Sequence, residues 1–261
     1  MIIFLFPSHD QGGEIYRLGE HVLICGDWRE EALRNKAFDI LNPTAGIHDP
    51  PYGISAVGVQ KDNHKGSIGG GGAFGSGKNK KGKFIEAKKY IPIHEDDKPF
   101  NPTQLIEVLP ASILWGANHF SSHLEDTRGW IVWDKKTKEW ENNTFSDGEL
   151  AWTPFDRTLK IYRHLWMGIA RTGNTKVEYK RVHPTQKPVG LIAQIIKDYL
   201  NEHEVISDFF LGSGTTLIAC SEVKKKCIGF EIEPLYCDVI RRRWAEYAAE
   251  NNLEIGDGLD G

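Results

Sequence analysis

The strongest chemical signal in the chain is the run Asp208–Thr216, DFFLGSGTT, in which an apolar stretch enters a turn of small residues. Gly212 and Gly214 let the backbone approach a ligand closely where a strand ends and a helix begins. The N-terminus of that helix adds backbone N–H groups that can bind the ligand. A phosphate-binding Walker loop needs a lysine after its second glycine, but Thr215 follows Gly214. The run therefore predicts either a ligand-binding turn that does not bind phosphate or simply a tight strand–helix turn.

A second acidic signal follows about twenty residues later, where GFEIE ends the next apolar stretch. Nucleoside-binding folds place a carboxylate at this spacing to accept hydrogen bonds from the ribose hydroxyls. Glu231 is that carboxylate, and the neighbouring Ile232 can cover one face of an adenine ring. Because the turn has no phosphate-binding lysine, S-adenosylmethionine fits the pattern better than NAD does.

The tetrapeptide Asp49-Pro50-Pro51-Tyr52 offers a different chemistry. Neither proline has an N–H group, and both rings make the turn rigid. The Asp49 carboxylate and the Pro50 carbonyl can therefore act as two acceptors for an exocyclic amine, and Tyr52 offers a ring on which a planar base can stack. An ordinary Asp-Pro-Pro turn with a packing tyrosine is the alternative.

Alternating strands and helices are expected to position these residues. The apolar stretches that predict strands cover residues 21–27, 45–49, 112–117, 129–134, 205–210 and 226–233. Helices are predicted to open at 185–188, to span 215–222 and to begin at Pro234. The first has an apolar face of Leu191, Ile192, Ile195, Ile196 and Tyr199, and the last is predicted to bury Leu235, Val239, Ile240, Trp244 and Tyr247. This order predicts a parallel sheet with helices on both faces.

Composition excludes several classes of protein. The 261 residues are 40% hydrophobic and 26% charged, with a net charge of −4, as in a globular protein of one large or two small domains. The four cysteines form no zinc-type cluster and the histidines are scattered, so we expect no metal and a reducing compartment. The N-terminal MIIFLF run is too short for a signal peptide, and no apolar stretch is long enough to span a membrane. These features predict a cytoplasmic protein.

A basic, glycine-rich segment interrupts the pattern. Residues 61–89 contain eight lysines against Asp62 and Glu86, a local balance of +6, and include the run GSIGGGGAFGSG. Such a segment is either an electrostatic arm for a polyanion or a solvated linker without a partner. Its GxGxxG spacing predicts no nucleotide site, because no strand precedes it and no helix follows it.

Four motifs together resemble a known family, the S-adenosylmethionine-dependent DNA amino-methyltransferases that modify adenine N6 or cytosine N4. Asp49–Tyr52 is similar to the catalytic tetrapeptide of the family, and Asp208–Thr216 is similar to its cofactor motif. His183–Pro188, HPTQKP, resembles the segment that helps to bind the methionine part, and Gly26-Asp27 resembles the motif whose aspartate reaches the cofactor adenine. The catalytic motif precedes the cofactor motif, as in the circularly permuted β-type arrangement.

The resemblance implies a role for each matching residue. Catalysis falls to the tetrapeptide Asp49, Pro50, Pro51 and Tyr52. Cofactor binding falls to Asp27, Asp49, His183, Thr185, Lys187, Asp208, Phe210, Gly212, Gly214, Thr215, Thr216, Glu231 and Ile232. One departure is Phe209, where the family often has proline; we expect the change to be tolerated because it follows Asp208 within the strand.

The implied fold is a Rossmann-like α/β domain over residues 1–261, with a mostly parallel, twisted sheet of about seven strands and helices on both faces. Residues 54–105 form a basic insertion, and the short region 156–182 is the predicted target-recognition region.

The implied activity is site-specific methylation of adenine N6 in double-stranded DNA by base flipping, since family members that act on cytosine usually carry serine in place of Asp49. Cytosine N4 is the alternative; an RNA or protein substrate, or an inactive DNA-binding relative, fits less well. We expect double-stranded DNA as partner, no metal and no membrane, in the cytoplasm of a bacterial or phage-infected cell. A homodimer, a restriction–modification partner and a phage-borne origin stay open.

Replacing Lys78, Lys80, Lys81 and Lys83 by alanine tests the basic segment. If these lysines contact phosphates, the variant should bind every DNA sequence more weakly, and the slope of log affinity against log salt should flatten by about 2–4 units. Fluorescence anisotropy at several salt concentrations measures that slope. Cofactor affinity should not change, and an unaltered salt slope would identify the segment as a solvated linker.

Overall fold

A computed structural model describes residues 13–54, 77–78, 84–85, 93–135, 146–167, 170–171, 182–183 and 185–259 of the chain. The chain divides into two compact units. The first unit comprises Met1–Asp49, Thr175–Glu178 and Lys187–Gly261, and the second comprises Pro50–Asn174 and Tyr179–Gln186. The unit boundary falls at the Asp49–Pro50 bond, inside the tetrapeptide.

The described elements alternate between strands and helices along much of the chain. The helices are α1 (Glu31–Ile40), α2 (Thr103–Val108), α3 (Val189–Tyr199), α4 (Thr215–Glu222) and α5 (Pro234–Asn251). Two 3-10 turns span Ala117–His119 and Ser121–His123. The longer strands are β1 (Glu14–Leu18), β2 (His21–Cys25), β3 (Ala45–His48), β6 (Ser112–Trp115), β7 (Ile131–Asp134), β8 (Gly148–Trp152), β9 (Lys160–Arg163), β12 (Val205–Asp208) and β13 (Lys226–Glu231). Two-residue strands are β4 (Gly77–Lys78), β5 (Phe84–Ile85), β10 (Trp166–Met167) and β11 (Ala170–Arg171).

The first unit contains a five-stranded run in the order β1-β2-β13-β12-β3. Strands β2, β13, β12 and β3 are parallel, while β1 lies antiparallel to β2 at the edge. The register pairs Asp208 with Gly229 and Glu231 with Cys25. Parallel strands end on the same side, so β3, β12 and β13 deliver the residues that follow them to one edge of the sheet.

Buried apolar runs explain why these segments are central strands. All four residues of β3 and all five of β2 are buried, as expected for a parallel strand covered on both faces. Helix α3 buries Leu191, Ile192, Ile195, Ile196 and Tyr199, which confirms its predicted apolar face. The α/β class predicted from the sequence is confirmed.

Helix α5 begins at Pro234 as predicted, but its buried face was wrong in part. Leu235 is 48% exposed and Val239 is half-buried, whereas Tyr236 and Ile240 are buried. Glu233 caps the helix by accepting a hydrogen bond from the backbone N–H of Leu235. Successive helix residues lie about 100° apart, so the 235/239 row points away from the core when the neighbouring 236/240 row packs against it.

The second unit contains a four-stranded run in the order β6-β8-β7-β9. Strand β8 is antiparallel to β6 and β7, whereas β9 is parallel to β7. The two runs contain five and four strands, so the number of strands is larger than the expected value of about seven. Sequence reasoning missed β1, α1, β8 and β9, and β9 lies inside the region 156–182 proposed for target recognition.

Some predictions concern segments that the structure hardly describes. Within the basic segment 61–89, only the backbones of β4 and β5 are described, and Lys80, Lys81 and Lys83 lie outside the described residues. No helix in the described part of the chain has the length and apolar character needed to cross a membrane. The four cysteines are buried, and none of them forms a disulfide bond. The described residues also contain no cluster of three or more histidine, cysteine, aspartate or glutamate side chains arranged to hold a metal ion.

Candidate active site

Three carboxylates mark the edge at which β3, β12 and β13 of the first unit end. Asp208 is the last residue of β12, Glu231 is the last residue of β13, and Asp49 directly follows β3. Asp208 and Glu231 are buried, with 3% and 7% of their surface exposed. Buried carboxylates without compensating partners are costly, so the contacts of each one define the site.

Asp208 is held by the turn that follows it. Its Oδ2 accepts a hydrogen bond from the Thr216 hydroxyl at 2.6 Å, and its Oδ1 accepts one from the Phe210 backbone N–H at 3.0 Å. Burial raises the pKa of Asp208 to about 7, against the lowering effect of these two hydrogen bonds. Asp208 therefore takes up a proton near neutral pH in the ligand-free protein.

Glu231 joins β13 to the glycine turn. Its Oε2 accepts a hydrogen bond from the Gly212 N–H at 2.7 Å, and its Oε1 accepts one from the Glu233 N–H at 2.9 Å. Burial raises the pKa of Glu231 to about 7 as well, although both backbone hydrogen bonds lower it. Each carboxylate oxygen has a further lone pair, so the group can still accept hydrogen bonds from a ligand.

The glycine turn has a backbone conformation that residues other than glycine rarely adopt. Gly212 and Gly214 have φ values of 55° and 78°, in the left-handed region that glycine adopts without strain. Helix α4 begins at Thr215 without a side-chain cap, so its first N–H groups are not covered by a capping side chain. Arg243 of α5, which is 4% exposed, donates a hydrogen bond to the Ser213 carbonyl and supports the turn from behind.

Arg243 was missed by sequence reasoning. It falls three residues after buried Ile240, on the face of α5 that points inward. A basic residue at that spacing on a buried face was the available signal, but it lies within the run Arg241–Arg243, which is typical of a solvated surface.

His48 supports the site from within β3. It is fully buried, and its Nδ1 accepts a hydrogen bond from the Phe209 backbone N–H at 3.0 Å. Burial lowers the pKa of His48 to about 3, so the ring is neutral and its 3.9 Å approach to Asp208 is not an ion pair. A proline at position 209 could not donate this hydrogen bond, so Phe209 suits the histidine beneath it.

Asp49 forms an ion pair with Lys187 within the first unit. The Lys187 ammonium lies 2.5 Å from Asp49 Oδ1, and the two side chains are 6% and 20% exposed. The Lys187 carbonyl also accepts a hydrogen bond from the Thr215 hydroxyl at 3.2 Å. Lys187 thus contacts both Asp49 of the tetrapeptide and Thr215 at the start of α4.

Asp27 lies at the same edge, two residues after β2. Arg29 binds its carboxylate through the backbone N–H at 2.9 Å and through the guanidinium, with a shortest distance of 2.6 Å. The intervening Trp28 stacks on Phe209 at 4.8 Å and makes an edge contact with Phe210. Phe210 and Ile232 are half-buried.

The rest of the tetrapeptide belongs to the second unit. The backbone N–H groups of Tyr52 and Gly53 both donate to Asp96 Oδ1 at 3.1 Å, which fixes the turn. The Tyr52 ring stacks on exposed His119, with centroids 5.1 Å apart. Gly116 has a φ of 67°, and a Cβ at this position would overlap the Tyr52 ring. Sequence reasoning missed these contacts, because Asp96, Gly116 and His119 have no motif spacing to Tyr52.

His183 and Thr185 also lie in the second unit. The His183 Nδ1 accepts a hydrogen bond from the Thr185 N–H at 3.3 Å and lies 3.1 Å from its hydroxyl. The structure therefore gathers the predicted residues in two groups. The first unit holds Asp27, Asp49, Lys187, Asp208, Phe210, Gly212, Gly214, Thr215, Thr216, Glu231 and Ile232, and the second unit holds Pro50, Pro51, Tyr52, His183 and Thr185.

The geometry of the first unit is suited to a small polar molecule with a nucleoside part. It combines a buried carboxylate with free lone pairs, a left-handed glycine turn and an uncapped helix N-terminus. The sequence also matches the family N6_N4_Mtase, described as DNA methylase, over residues 59–242. This range covers more than half of the chain, and the protein therefore belongs to that family.

Two curated relatives are similar to part of the chain. The type II methyltransferase M2.LlaDCHI of Lactococcus lactis subsp. cremoris is 31% identical over 121 residues, which are 43% of this chain and 40% of that protein. The type II methyltransferase M.HinfI of Haemophilus influenzae is 32% identical over 100 residues, or 37% of this chain and 28% of that protein. The chain thus spans 40% or less of the length of these relatives.

Among solved structures, the crystal structure of an M1.HpyAVI–SAM complex is similar to the chain with a TM-score of 0.46 and 18% identity. The similarity covers 85% of this chain and 98% of the other.

The raised pKa of Glu231 predicts a specific pH dependence of stability. Its pKa is about 7 in the folded chain and 4.5 ordinarily, so between these values the folded state binds the proton that the unfolded state has lost. The contribution of Glu231 to the free energy of unfolding must therefore fall as pH rises from about 4.5 to about 7. Glu231→Gln removes this titration, and urea denaturation of the ligand-free proteins should show wild type losing stability relative to the variant across that window. Parallel curves for the two proteins would contradict the raised pKa.

Proposed function

We propose that the protein transfers a methyl group from S-adenosylmethionine to the exocyclic N6 of adenine in double-stranded DNA. The observation that carries this proposal is the pairing of β12 with both β3 and β13. It brings the Asp49 carboxylate to the same sheet edge as the glycine turn and Glu231. An acceptor for an amine and a site for a nucleoside thus lie at one edge of the first unit.

The cofactor site is assigned to residues of the first unit. S-adenosylmethionine supplies, when bound, a methyl group on a positively charged sulfur that retains the bonding electron pair as the methyl leaves. Glu231 accepts hydrogen bonds from the ribose hydroxyls through the lone pairs left by Gly212 and Glu233. Asp208 and the small residues Gly212, Gly214, Thr215 and Thr216 border the methionine end, where the uncapped start of α4 suits a carboxylate.

The remaining cofactor contacts come from flanking segments. Asp27 accepts a hydrogen bond from the cofactor adenine amine, sharing its carboxylate with Arg29, whose side chain is 43% exposed and free to adjust. Phe210 and Ile232 are half-buried and present apolar surface to the adenine ring. By resemblance to the family, His183 and Thr185 contribute to the methionine part.

The tetrapeptide carries the transfer step. The target adenine leaves the duplex, because its amine cannot be approached in line inside a stacked pair, and stacking on Tyr52 offsets part of the cost. Asp49 and the Pro50 carbonyl accept the two amine hydrogens and aim the nitrogen lone pair at the methyl carbon. Asp49 would then accept the proton that the amine loses on methylation and pass it to solvent. Catalysis is mainly by positioning.

Adenine is favoured over cytosine by the aspartate at position 49. The family includes both chemistries by name, so N4 of cytosine is the second candidate. The type II methyltransferases among the relatives support a role in restriction–modification in the bacterial cytoplasm. Lys78, Lys80, Lys81 and Lys83 are proposed to bind DNA phosphates.

Expression of the protein in cells that lack this modification tests the proposed function. Their DNA should acquire N6-methyladenine in one fixed sequence context, detected by sequencing of modified bases. Asp49→Ala should abolish the modification, because the amine loses the acceptor that orients it. N4-methylcytosine in its place would favour the second candidate, and the absence of both bases would contradict the proposal.

The Asp49→Ala variant carries its own control. The family resemblance also implies a cofactor contact for Asp49, but its main proposed role is on the target amine, so calorimetry of the purified variant should show nearly unchanged affinity for S-adenosylmethionine. Loss of cofactor affinity in this variant would contradict the assignment of Asp49.

Glu231→Ala should weaken S-adenosylmethionine binding by more than about tenfold, because two charge-assisted hydrogen bonds to ribose are lost. Isothermal titration calorimetry measures the dissociation constant. Glu204→Ala is the matched control. Glu204 precedes β12 and pairs with Lys226 at the other end of β13, where its side chain is 74% exposed. The dissociation constant of Glu231→Ala should exceed that of Glu204→Ala, and equal values would show that the ribose binds elsewhere.

A further inference from the structure

Three carboxylates at the edge of the first unit share a local hydrogen bond that Asp49 cannot form. Asp27, Asp208 and Glu231 each accept a hydrogen bond from the backbone N–H two residues later, on Arg29, Phe210 and Glu233. The residue two positions after Asp49 is Pro51, and the residue between them is Pro50. Proline has no N–H, so the turn that follows Asp49 offers its carboxylate no backbone donor at either position.

Lys187 supplies a donor to Asp49 from another segment. Its ammonium lies 2.5 Å from Asp49 Oδ1. Its backbone is anchored by the Thr215 hydroxyl, which donates to the Lys187 carbonyl at 3.2 Å, and Pro188 follows it at the start of α3. Only 6% of the Lys187 side chain is exposed, and a buried ammonium group is unfavourable unless it is paired with an anion. The ion pair with Asp49 therefore compensates for the burial of Lys187.

The charges around this pair come from three strands. Asp49 follows β3, Asp208 ends β12, and Glu231 ends β13 beyond Asp208. Asp49 raises and Lys187 lowers the pKa of Asp208, which places all three groups in one electrostatic cluster. His48 also faces Asp208 but is neutral. Lys187 thus places a positive charge beside the negative charges of this carboxylate cluster.

We propose that Lys187 is a positioning residue, which keeps Asp49 ionised and fixes the orientation of the carboxylate that accepts the target amine. This role rests on the proposed function of the tetrapeptide. A protonated Asp49 would present an O–H group to the amine and compete for the lone pair that must attack the methyl group. The Lys187 ammonium donates to Asp49 in the way that a backbone N–H donates to Asp27, Asp208 and Glu231. The Pro50 carbonyl is the second acceptor for the amine.

The test is the pH dependence of methyl transfer by Lys187→Met, measured as kcat with DNA and S-adenosylmethionine both saturating. Removing a cation beside a carboxylate raises its pKa, so the acid limb of the profile should move upward by at least about one pH unit. Within the shifted acid limb kcat should be lower than that of wild type, and it should recover as pH rises. Lys187→Arg keeps the charge and should hold the acid limb near its wild-type position.

Binding measurements separate this role from cofactor binding. The dissociation constants of Lys187→Met for S-adenosylmethionine and DNA should stay within about threefold of wild type. A tenfold loss of cofactor affinity with an unshifted pH profile would overturn the proposal and return Lys187 to the methionine site that the family resemblance implies. Absence of DNA methylation by the wild-type protein would instead reject the proposed function itself.

A double-mutant cycle covers the case in which Lys187→Met folds poorly. Asp49→Asn combined with Lys187→Met removes both charges and should be more stable than the sum of the single effects, measured as free energies of unfolding. Additive effects would show that the two side chains do not interact in solution, and the proposal would fail.

Discussion

Parallel pairing of β12 with β3 on one side and β13 on the other is the constraint on which the site depends. The register Asp208–Gly229 and Ile206–Ala45 places three strand ends at one edge, and each strand end delivers a carboxylate there. The strands are held in place by buried apolar side chains, not by the carboxylates. Hydrophobic burial therefore provides the framework on which several charged groups can be gathered.

Gathering charges has an electrostatic consequence. Burial raises the pKa values of Asp208 and Glu231 to about 7, so both carboxylates exchange protons near neutral pH. Backbone N–H groups two residues downstream, the Thr216 hydroxyl and Lys187 offset part of the cost. Asp49 is followed by two prolines, which have no N–H to donate, and it pairs with Lys187, a residue distant in sequence.

The limits of sequence reasoning are clearest at individual residues. The apolar face of α3 was predicted correctly because all its apolar residues repeat at helical spacing over three turns. The buried face of α5 was predicted only in part because apolar residues occur on both the 235/239 row and the 236/240 row, and the local pattern does not decide which row faces the core. Strands β8 and β9 were missed because GELAW and KIYR are short and mix charged with apolar residues.

The sequence by itself determined the α/β class, the order of the motifs and the residue types at the site, since these follow from periodicity and local spacing. Only the tertiary structure decided which residues meet. The pairing of Lys187 with Asp49, of Phe209 with His48, and of Arg243 with the glycine turn joins segments that are 138, 161 and 30 residues apart. Such contacts depend on how strands are ordered and how helices are rotated, and neither property leaves a local pattern in the chain.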